Sequence, residues 1–387
     1  MSATRVCVHG LGYIGLPTAA VLAGAGARVF GVDSSARVRA AVAAGRTHIE
    51  EPGLEALLAA ARHSGALSVH AAPCAAEFHL IAVPTPLDAE RRPVLDHVWA
   101  AADALAPVLR AGDCVILEST VPVGTTAALA ARLPALPLDI AHCPERVLPG
   151  RILEELAANE RLVGGLTPAA SARAAGLYRR FVRGAIHLTD AATAEMAKLA
   201  ENAFRDVNIA FANTLSLLAA RHGLDAREVI RLANRHPRVA ILNPGPGVGG
   251  HCLAVDPWFL ADGAGEDAAL LRAARHANER KTEWVLARLA ELAQAQPGAP
   301  VTCFGLAYKA EVGDLRESPA LAIARALTVR FGARVAATDP HVAEAEGVAL
   351  IPLEAARARP GLWAMLVGHD AFRGLDRAGR TVFDALG

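Results

Sequence analysis

The sequence predicts an α/β protein in which two parallel-sheet domains are joined by a helical middle domain. Three observations carry this expectation. Short apolar runs that each end in a turn alternate with Ala- and Leu-rich helical stretches, such runs vanish between residues 192 and 295, and they return from Val301 onward. At 387 residues the chain also exceeds one core, since domains average roughly 150 residues. The expected ranges are 1–187, 188–296 and 297–387.

The first strand, Val6 to His9, runs into Gly10, Leu11, Gly12, Tyr13, Ile14 and Gly15, and a helical stretch follows to about Gly24. A second strand, Arg28 to Val32, ends at Asp33. Further apolar runs cover Leu80 to Val83, Cys114 to Leu117 and Arg161 to Gly165, and the first domain closes near His187. Strand, glycine turn and helix in this order make the domain Rossmann-like. From Ala192 to about Gly223 the pattern is one long helix, continued by Arg227 to Asn234 and, beyond a Gly/Pro-rich loop, by Ala268 to Ala295. Apolar positions on more than one face of so long a helix suit a spine between domains or a dimer interface. Past a linker at Ala295 to Pro300, Val301 to Leu306, Arg334 to Thr338 and Trp363 to Val367 repeat the strand character of the first domain. That second Rossmann-like domain is compact, and a terminal helix is not required. No repeat of solenoid period is present.

Composition narrows the function. Lys plus Arg (39) balance Asp plus Glu (39), which argues against nucleic acid as the main partner while permitting a local basic pocket for a small phosphate ligand. The six cysteines are scattered, with no CxxC pair and no Cys/His cluster at metal-ligand spacing, so no metal site is expected and a reducing cytoplasm suits the chain. No signal-peptide pattern opens the sequence, and no apolar stretch is long enough to span a bilayer.

Gly10, Gly12 and Gly15 match GxGxxG between a strand and a helix, with Asp33 eighteen residues beyond Gly15. The glycines permit a tight turn and close approach of backbone to a pyrophosphate, with the helix N-terminus facing the anion. Asp33 is placed to accept hydrogen bonds from ribose hydroxyls and to repel a 2′-phosphate, so the expected cofactor is NAD rather than NADP. Cys252 follows a glycine-dense loop that includes Gly247, Gly249 and Gly250, and Asp256 stands four residues later. The loop lets a substrate approach the backbone, and Cys252 is a candidate nucleophile; the plainer alternative is a small buried hydrophobe. Lys198, Asn202 and Arg205 share one helical face, suited either to an oxyanion and a diphosphate or to solvent. Thr85, Thr120 and Thr126 are candidates for cofactor or ordered water, and Glu145 for a base, or all four are ordinary loop residues and caps.

Together these segments resemble the UDP-glucose/GDP-mannose dehydrogenase family over nearly the whole chain. Gly10 to Pro17, Val83 to Pro86, Glu118 to Thr120, Pro144 to Arg146, Lys198 with Asn202, Gly249 to Cys252 and Asp314 to Pro319 occur in family order. The resemblance implies four-electron oxidation of the C6 hydroxyl of a UDP-linked N-acetylhexosamine. The segments around Cys143, Arg235 and Cys252 favour UDP-N-acetylmannosamine, with UDP-N-acetylglucosamine or another UDP-hexosamine as the alternative. Val255, where glucose-type members carry a lysine, points to an N-acetylated sugar. The resemblance implies Cys252 as covalent nucleophile and Lys198 as polar catalyst, assisted by Asn202, Glu145, Thr120 and Asp256. It further implies cofactor contacts from Gly10, Gly12, Tyr13, Ile14, Gly15, Asp33, Thr85, Thr126 and Arg316. Substrate contacts fall to Arg146, Val147, Lys198, Asn202, Arg205, His236, Gly249, Tyr308 and Lys309, with Arg238 reaching from a neighbouring subunit of a homodimer. His9 stands where the family has an apolar residue.

Overall fold

β1 (Arg5–His9) is buried from Val6 to His9 because it runs through the middle of a sheet covered on both faces. It is joined by β2 (Arg28–Val32), β3 (Leu67–His70), β4 (Phe78–Ile81), β5 (Cys114–Leu117), β6 (Asp139–His142), β7 (Arg161–Gly165) and β8 (Ile186–Asp190). The strand order is β3-β2-β1-β4-β5-β6-β7-β8, so the direction of build reverses between β1 and β4, which is where sheets of this kind open a ligand crevice. All pairs are parallel except β6 with β7, where Ala141 faces Gly165 and His142 faces Gly164. The parallel-sheet expectation is corrected there: the short helix Ile152–Ala158 returns the chain to the sheet in the opposite sense.

This computed structural model describes residues 3–386; Met1, Ser2 and Gly387, from which the expected domain ranges are counted, lie outside the described residues. The chain forms two compact units, Met1–Ala200 and Glu201–Gly387, and the division falls inside the long helix Ala191–Arg221. Asp190 opens that helix, accepting from the Thr193 N–H at 2.9 Å.

In the first unit one sheet face buries Val6, Val8, Leu16, Leu54, Leu58, Ile116 and Tyr178, and the other buries Ile81, Val98, Leu105, Val115, Leu117 and Leu129. Each such side chain contributes ~1.5–3 kcal/mol by leaving water. In the second unit β9 (Val301–Phe304), β10 (Val335–Thr338), β11 (Leu362–Met365) and β12 (Thr381–Asp384) form a wholly parallel sheet in the order β10-β9-β11-β12. The helices Ala269–Gln294 and Pro319–Phe331 cover one face through Val285, Leu289, Ile323 and Leu327. Trp363, Met365 and Phe372 pack against Phe304 on the other.

Three strands end earlier than their apolar runs. β4 stops at Ile81, β9 at Phe304 and β11 at Met365, although Val83, Leu306 and Val367 continue the hydrophobic pattern. In each case the chain is turning off the sheet: Gly305 has φ +88°, and the Leu366 and Val367 N–H groups both fold back onto the Phe304 carbonyl. The final segment is β12, with no terminal helix among the described residues.

Candidate active site

The first unit carries a glycine turn whose three glycines do different things. Gly10 has φ +87°, and a Cβ there would collide with the Ala82 carbonyl oxygen. A Cβ on Gly15 would collide with the Gly10 carbonyl, so Gly15 closes the helix onto the turn. Around Gly12, in contrast, nothing lies within 4 Å of the position a Cβ would take. The protein therefore does not need Gly12 for its own packing, and the space is left for something else. The helix Gly15–Gly24 starts behind it with no side chain capping its first N–H groups. Open space, uncapped N–H groups and a neighbouring carboxylate fit a dinucleotide pyrophosphate and ribose.

Asp33 holds this turn in shape. Its Oδ2 accepts from the Leu11 N–H at 2.9 Å and its Oδ1 from the Ser35 N–H at 2.8 Å, which leaves each oxygen a further lone pair. The second unit repeats the device: the Gly305 N–H donates to Thr338 as that of Gly10 does to Val32, both at 2.8 Å, and Asp339 accepts from the Leu306 N–H at 2.7 Å. Each sheet thus presents the same strand, turn and acid arrangement.

Other first-unit candidates surround the carboxyl ends of β4, β5 and β6. The Thr85 hydroxyl donates to the Thr120 carbonyl at 2.8 Å, and the Ser119 hydroxyl accepts from the Val83 N–H at 2.9 Å, tying the two loops together. Thr126 is fully buried, and its hydroxyl is spent on Glu195 at 2.6 Å. Glu195 also accepts from the Gly124 and Thr126 N–H groups at 2.6 and 2.7 Å, capping the helix Thr125–Arg132. Thr126, expected beside the cofactor, sits at the start of that helix. Glu145 is buried against Arg161, which also pairs with Glu118 at 3.4 Å and stacks 4.2 Å from the Tyr178 ring centroid. The Tyr178 hydroxyl donates to Glu118 at 2.6 Å. Burial pushes the Glu118 carboxyl above its ordinary range, against the pull of Arg161. Lys198 is buried beside His142, whose ring burial holds neutral, at a pKa of about 3. Arg146, next in the chain to Glu145, is exposed, with Val147 half-buried; Tyr13 is exposed and Ile14 half-buried.

The second unit gathers the remaining candidates. The Asn202 amide donates to the Asp256 carboxylate at 2.6 Å, and both side chains are buried. Asp256 begins the helix Asp256–Ala261, and its N–H donates to the Cys252 carbonyl at 2.8 Å, so Cys252 lies one turn before it. Cys252 is half-buried, and its sulfur and the Arg205 guanidinium lie close enough to Tyr308 to act electrostatically on its phenol. The Arg316 guanidinium is engaged with Asp314 at 2.6 Å in the same cluster. Gly249 and Gly250 do something the sequence did not announce: a Cβ on Gly249 would collide with the Glu317 carbonyl, and one on Gly250 (φ +84°) would sit 2.8 Å from the Tyr308 ring. They let their loop dock on the segment 308–319, which carries Tyr308 to the thiol. Arg205, His236, Arg238 and Lys309 are exposed, so the Lys198–Asn202–Arg205 stripe is buried only over its first two members.

The sequence reading missed Arg161, Tyr178, Ser119 and Glu195 as residues that set the site. The available signals were an arginine opening an otherwise apolar strand and a glutamate near the start of a helix of small residues.

Comparison with known proteins agrees with this architecture. Family models match residues 4–182 (UDP-glucose/GDP-mannose dehydrogenase family, NAD binding domain), 192–280 (its central domain) and 302–385 (its UDP binding domain). The chain is 48% identical to an NDP-N-acetyl-D-galactosaminuronic acid dehydrogenase of Ralstonia nicotianae, over 99% of this chain and 95% of that one. It is 44% identical to a UDP-N-acetyl-D-mannosamine dehydrogenase of Salmonella typhimurium, covering 97% and 96%. A solved UDP-N-acetylmannosamine dehydrogenase structure from Pyrococcus horikoshii superposes with a TM-score of 0.89 at 38% identity, covering 99% and 96%.

Proposed function

The chain belongs to the UDP-glucose/GDP-mannose dehydrogenase family and is an NAD-dependent nucleotide-sugar dehydrogenase, and from that premise we propose that it oxidises the C6 hydroxyl of UDP-N-acetyl-D-mannosamine to the carboxylate. The observation that carries the chemistry is the half-buried Cys252 thiol beside the Tyr308 phenol, one turn before an Asp256 that Asn202 anchors.

A dinucleotide held at the turn of Gly10, Gly12 and Gly15 would supply the hydride acceptor for each of two oxidations. In the first, Lys198, or water ordered by Asp256, takes the alcohol proton. Cys252 then adds its sulfur to the aldehyde carbon, and the resulting thiohemiacetal retains the half-oxidised sugar. Loss of the second hydride leaves a thioester. Water held by Glu145, Thr120 and Asp256 cleaves the C–S bond, releasing the acid and returning the thiol. Lys198 and Asn202 offset the negative charge that develops on oxygen at each stage. In this scheme residues 1–187 bind NAD, 188–296 supply the thiol, and 297–387 hold the uridine diphosphate through Tyr308 and Lys309. Gly10, Gly12, Tyr13, Ile14, Gly15, Asp33, Thr85, Thr126 and Arg316 meet the cofactor, while Arg146, Val147, Arg205, His236, Arg238 and Gly249 meet the sugar nucleotide.

A homodimer forms in this reading through the long helix, where Phe204, Phe211 and Leu218 recur every seven residues and are 67, 52 and 45% exposed. Six cysteines present as thiols suit a cytoplasmic setting. No helix among the described residues is long and apolar enough to cross a membrane.

A second reading, a galacto-configured sugar, is favoured by the 48% identity to the Ralstonia protein. NADH stoichiometry with UDP-N-acetylmannosamine, -glucosamine and -galactosamine tests both. Two NADH per sugar with the highest kcat/KM for the manno substrate is the expected result. A galacto preference moves the assignment to the second reading, and one NADH per sugar overturns the four-electron scheme.

A further inference from the structure

Two side chains of β1 and one of β4 converge where the sequence showed no metal-ligand spacing. Cys7 and His9 point to the same face of β1, being two residues apart, and His79 stands directly opposite Cys7 in the neighbouring β4. All three are buried, at 0, 3 and 0% exposure, and one ligand atom from each lies within 4.8 Å of the others.

Buried imidazoles normally spend both nitrogens on partners. Here His9 Nε2 and His79 Nδ1 are both buried without one. The tautomer of His79 follows from its other nitrogen, because Nε2 faces the Ala76 carbonyl oxygen at 3.1 Å and must donate. Nδ1 is then a lone pair in the protein interior. A ligating histidine is held in the same way, its second N–H on a carbonyl or carboxylate, and the Asp113 carboxylate stands 3.8 Å from that same Nε2. Burial pushes the Cys7 thiol up to about 12, only partly offset by the hydrogen bond its sulfur accepts from the Cys74 backbone N–H, so the thiolate would form together with metal binding.

We propose that Cys7, His9 and His79 form a structural site for one thiophilic divalent cation, with Zn²⁺ as its occupant and Cys74 the side chain at hand for the fourth position. Two nitrogens and a sulfur around tetrahedral zinc stand roughly 3.3–3.6 Å apart, so closure asks no pair to contract by more than about 1.5 Å. Cys7 binds as thiolate, releasing its proton to water. The ion would clip β1 to β4 at the residue before Gly10, under the turn that receives the pyrophosphate.

The test uses the full chain purified without a histidine tag. The expected result is one zinc per chain by elemental analysis. Chelated protein refilled with Co²⁺ should show a thiolate-to-cobalt charge-transfer band that survives Cys252→Ser but disappears in Cys7→Ser and His79→Gln of unchanged circular dichroism. Zn²⁺ a thousandfold above Kd should raise the Tm of the chelated wild-type chain by roughly 10 °C. That wild-type titration stands whether or not the variants fold. A wild-type chain that takes up neither metal, a band that persists in Cys7→Ser, or a Cys7–Cys74 disulfide in the purified protein would overturn the proposal.

Discussion

Replacing Arg161 with methionine tests the electrostatic frame of the candidate site. The guanidinium is 5% exposed and lies between Glu118 and Glu145, themselves 2 and 8% exposed. Methionine fills much of the volume but leaves two carboxylates in the interior without their counter-ion. Breaking a buried pair by removing one partner costs about 3–5 kcal/mol. With Tm falling roughly 2–4 °C per kcal/mol in units of this size, the first unit should melt about 10 °C lower at pH 7.5. The sign with pH also follows. Burial already pushes Glu118 upward, and without Arg161 only the Tyr178 hydroxyl opposes that shift. A carboxyl whose folded pKa exceeds its unfolded one binds more protons when folded. The variant therefore regains stability as pH falls from 7.5 towards the unfolded carboxyl range near ~4, and the gap to wild type narrows. Urea unfolding of both proteins at pH 7.5 and pH 5 is the assay. A loss under about 1 kcal/mol, or a gap that does not change with pH, would refute the claim that Arg161 neutralises two buried acids.

Three further outcomes follow from the same geometry. Gly12→Ala should leave Tm within about 1 °C but raise KM for NAD at least about tenfold, whereas Gly10→Ala should destabilise the fold through its +87° φ and the Ala82 carbonyl; equal Tm losses would contradict the division of labour. Asn202→Ala withdraws the 2.6 Å donor from buried Asp256 and should cost about 1–3 kcal/mol in denaturant unfolding together with a fall in kcat, and an unchanged kcat would remove Asn202 from the catalytic set. Lys281 is held by burial at a pKa of about 8, so its folded value lies below the unfolded one near 10.5. The burden is whole below pH 8 and is relieved as pH rises from 8 to 10.5; Lys281→Met should stabilise by up to ~3 kcal/mol at pH 7, with the gain shrinking across that window. A gain that is flat with pH would place its origin elsewhere.

Much of the sheet was legible because its strands end on residues that cannot continue them. β2 stops at Asp33 and β7 at the end of a Gly-Gly pair, and both matched the apolar runs. β3, β8 and β12 escaped notice because they are short and carry polar residues such as Ser68, His187 and Thr189 on exposed or half-exposed faces, and β6 because Asp139 and His142 leave it only two apolar residues. The antiparallel β7 was hidden for another reason: strand direction depends on the route of the connection rather than on the residues of the strand. In the site, the glycine turn could be read because Gly10 and Gly15 each answer a local backbone demand. Arg161 bridging Glu118 and Glu145 could not, since three residues separated by up to 43 positions meet only in the fold. Cys7, His9 and His79 are the same case, joined by the pairing of β1 with β4.

Retention of the half-oxidised sugar turns on the sulfur of Cys252 forming a bond to it between the two oxidations. Acid quench of the enzyme during turnover, followed by mass spectrometry of the peptide containing Cys252, measures this directly. The predicted result is a sugar-nucleotide adduct on that peptide alone, absent in Cys252→Ala and cleared as substrate is exhausted. Turnover to the acid by Cys252→Ala at the wild-type rate, with no adduct on any peptide of the wild-type enzyme, would contradict it.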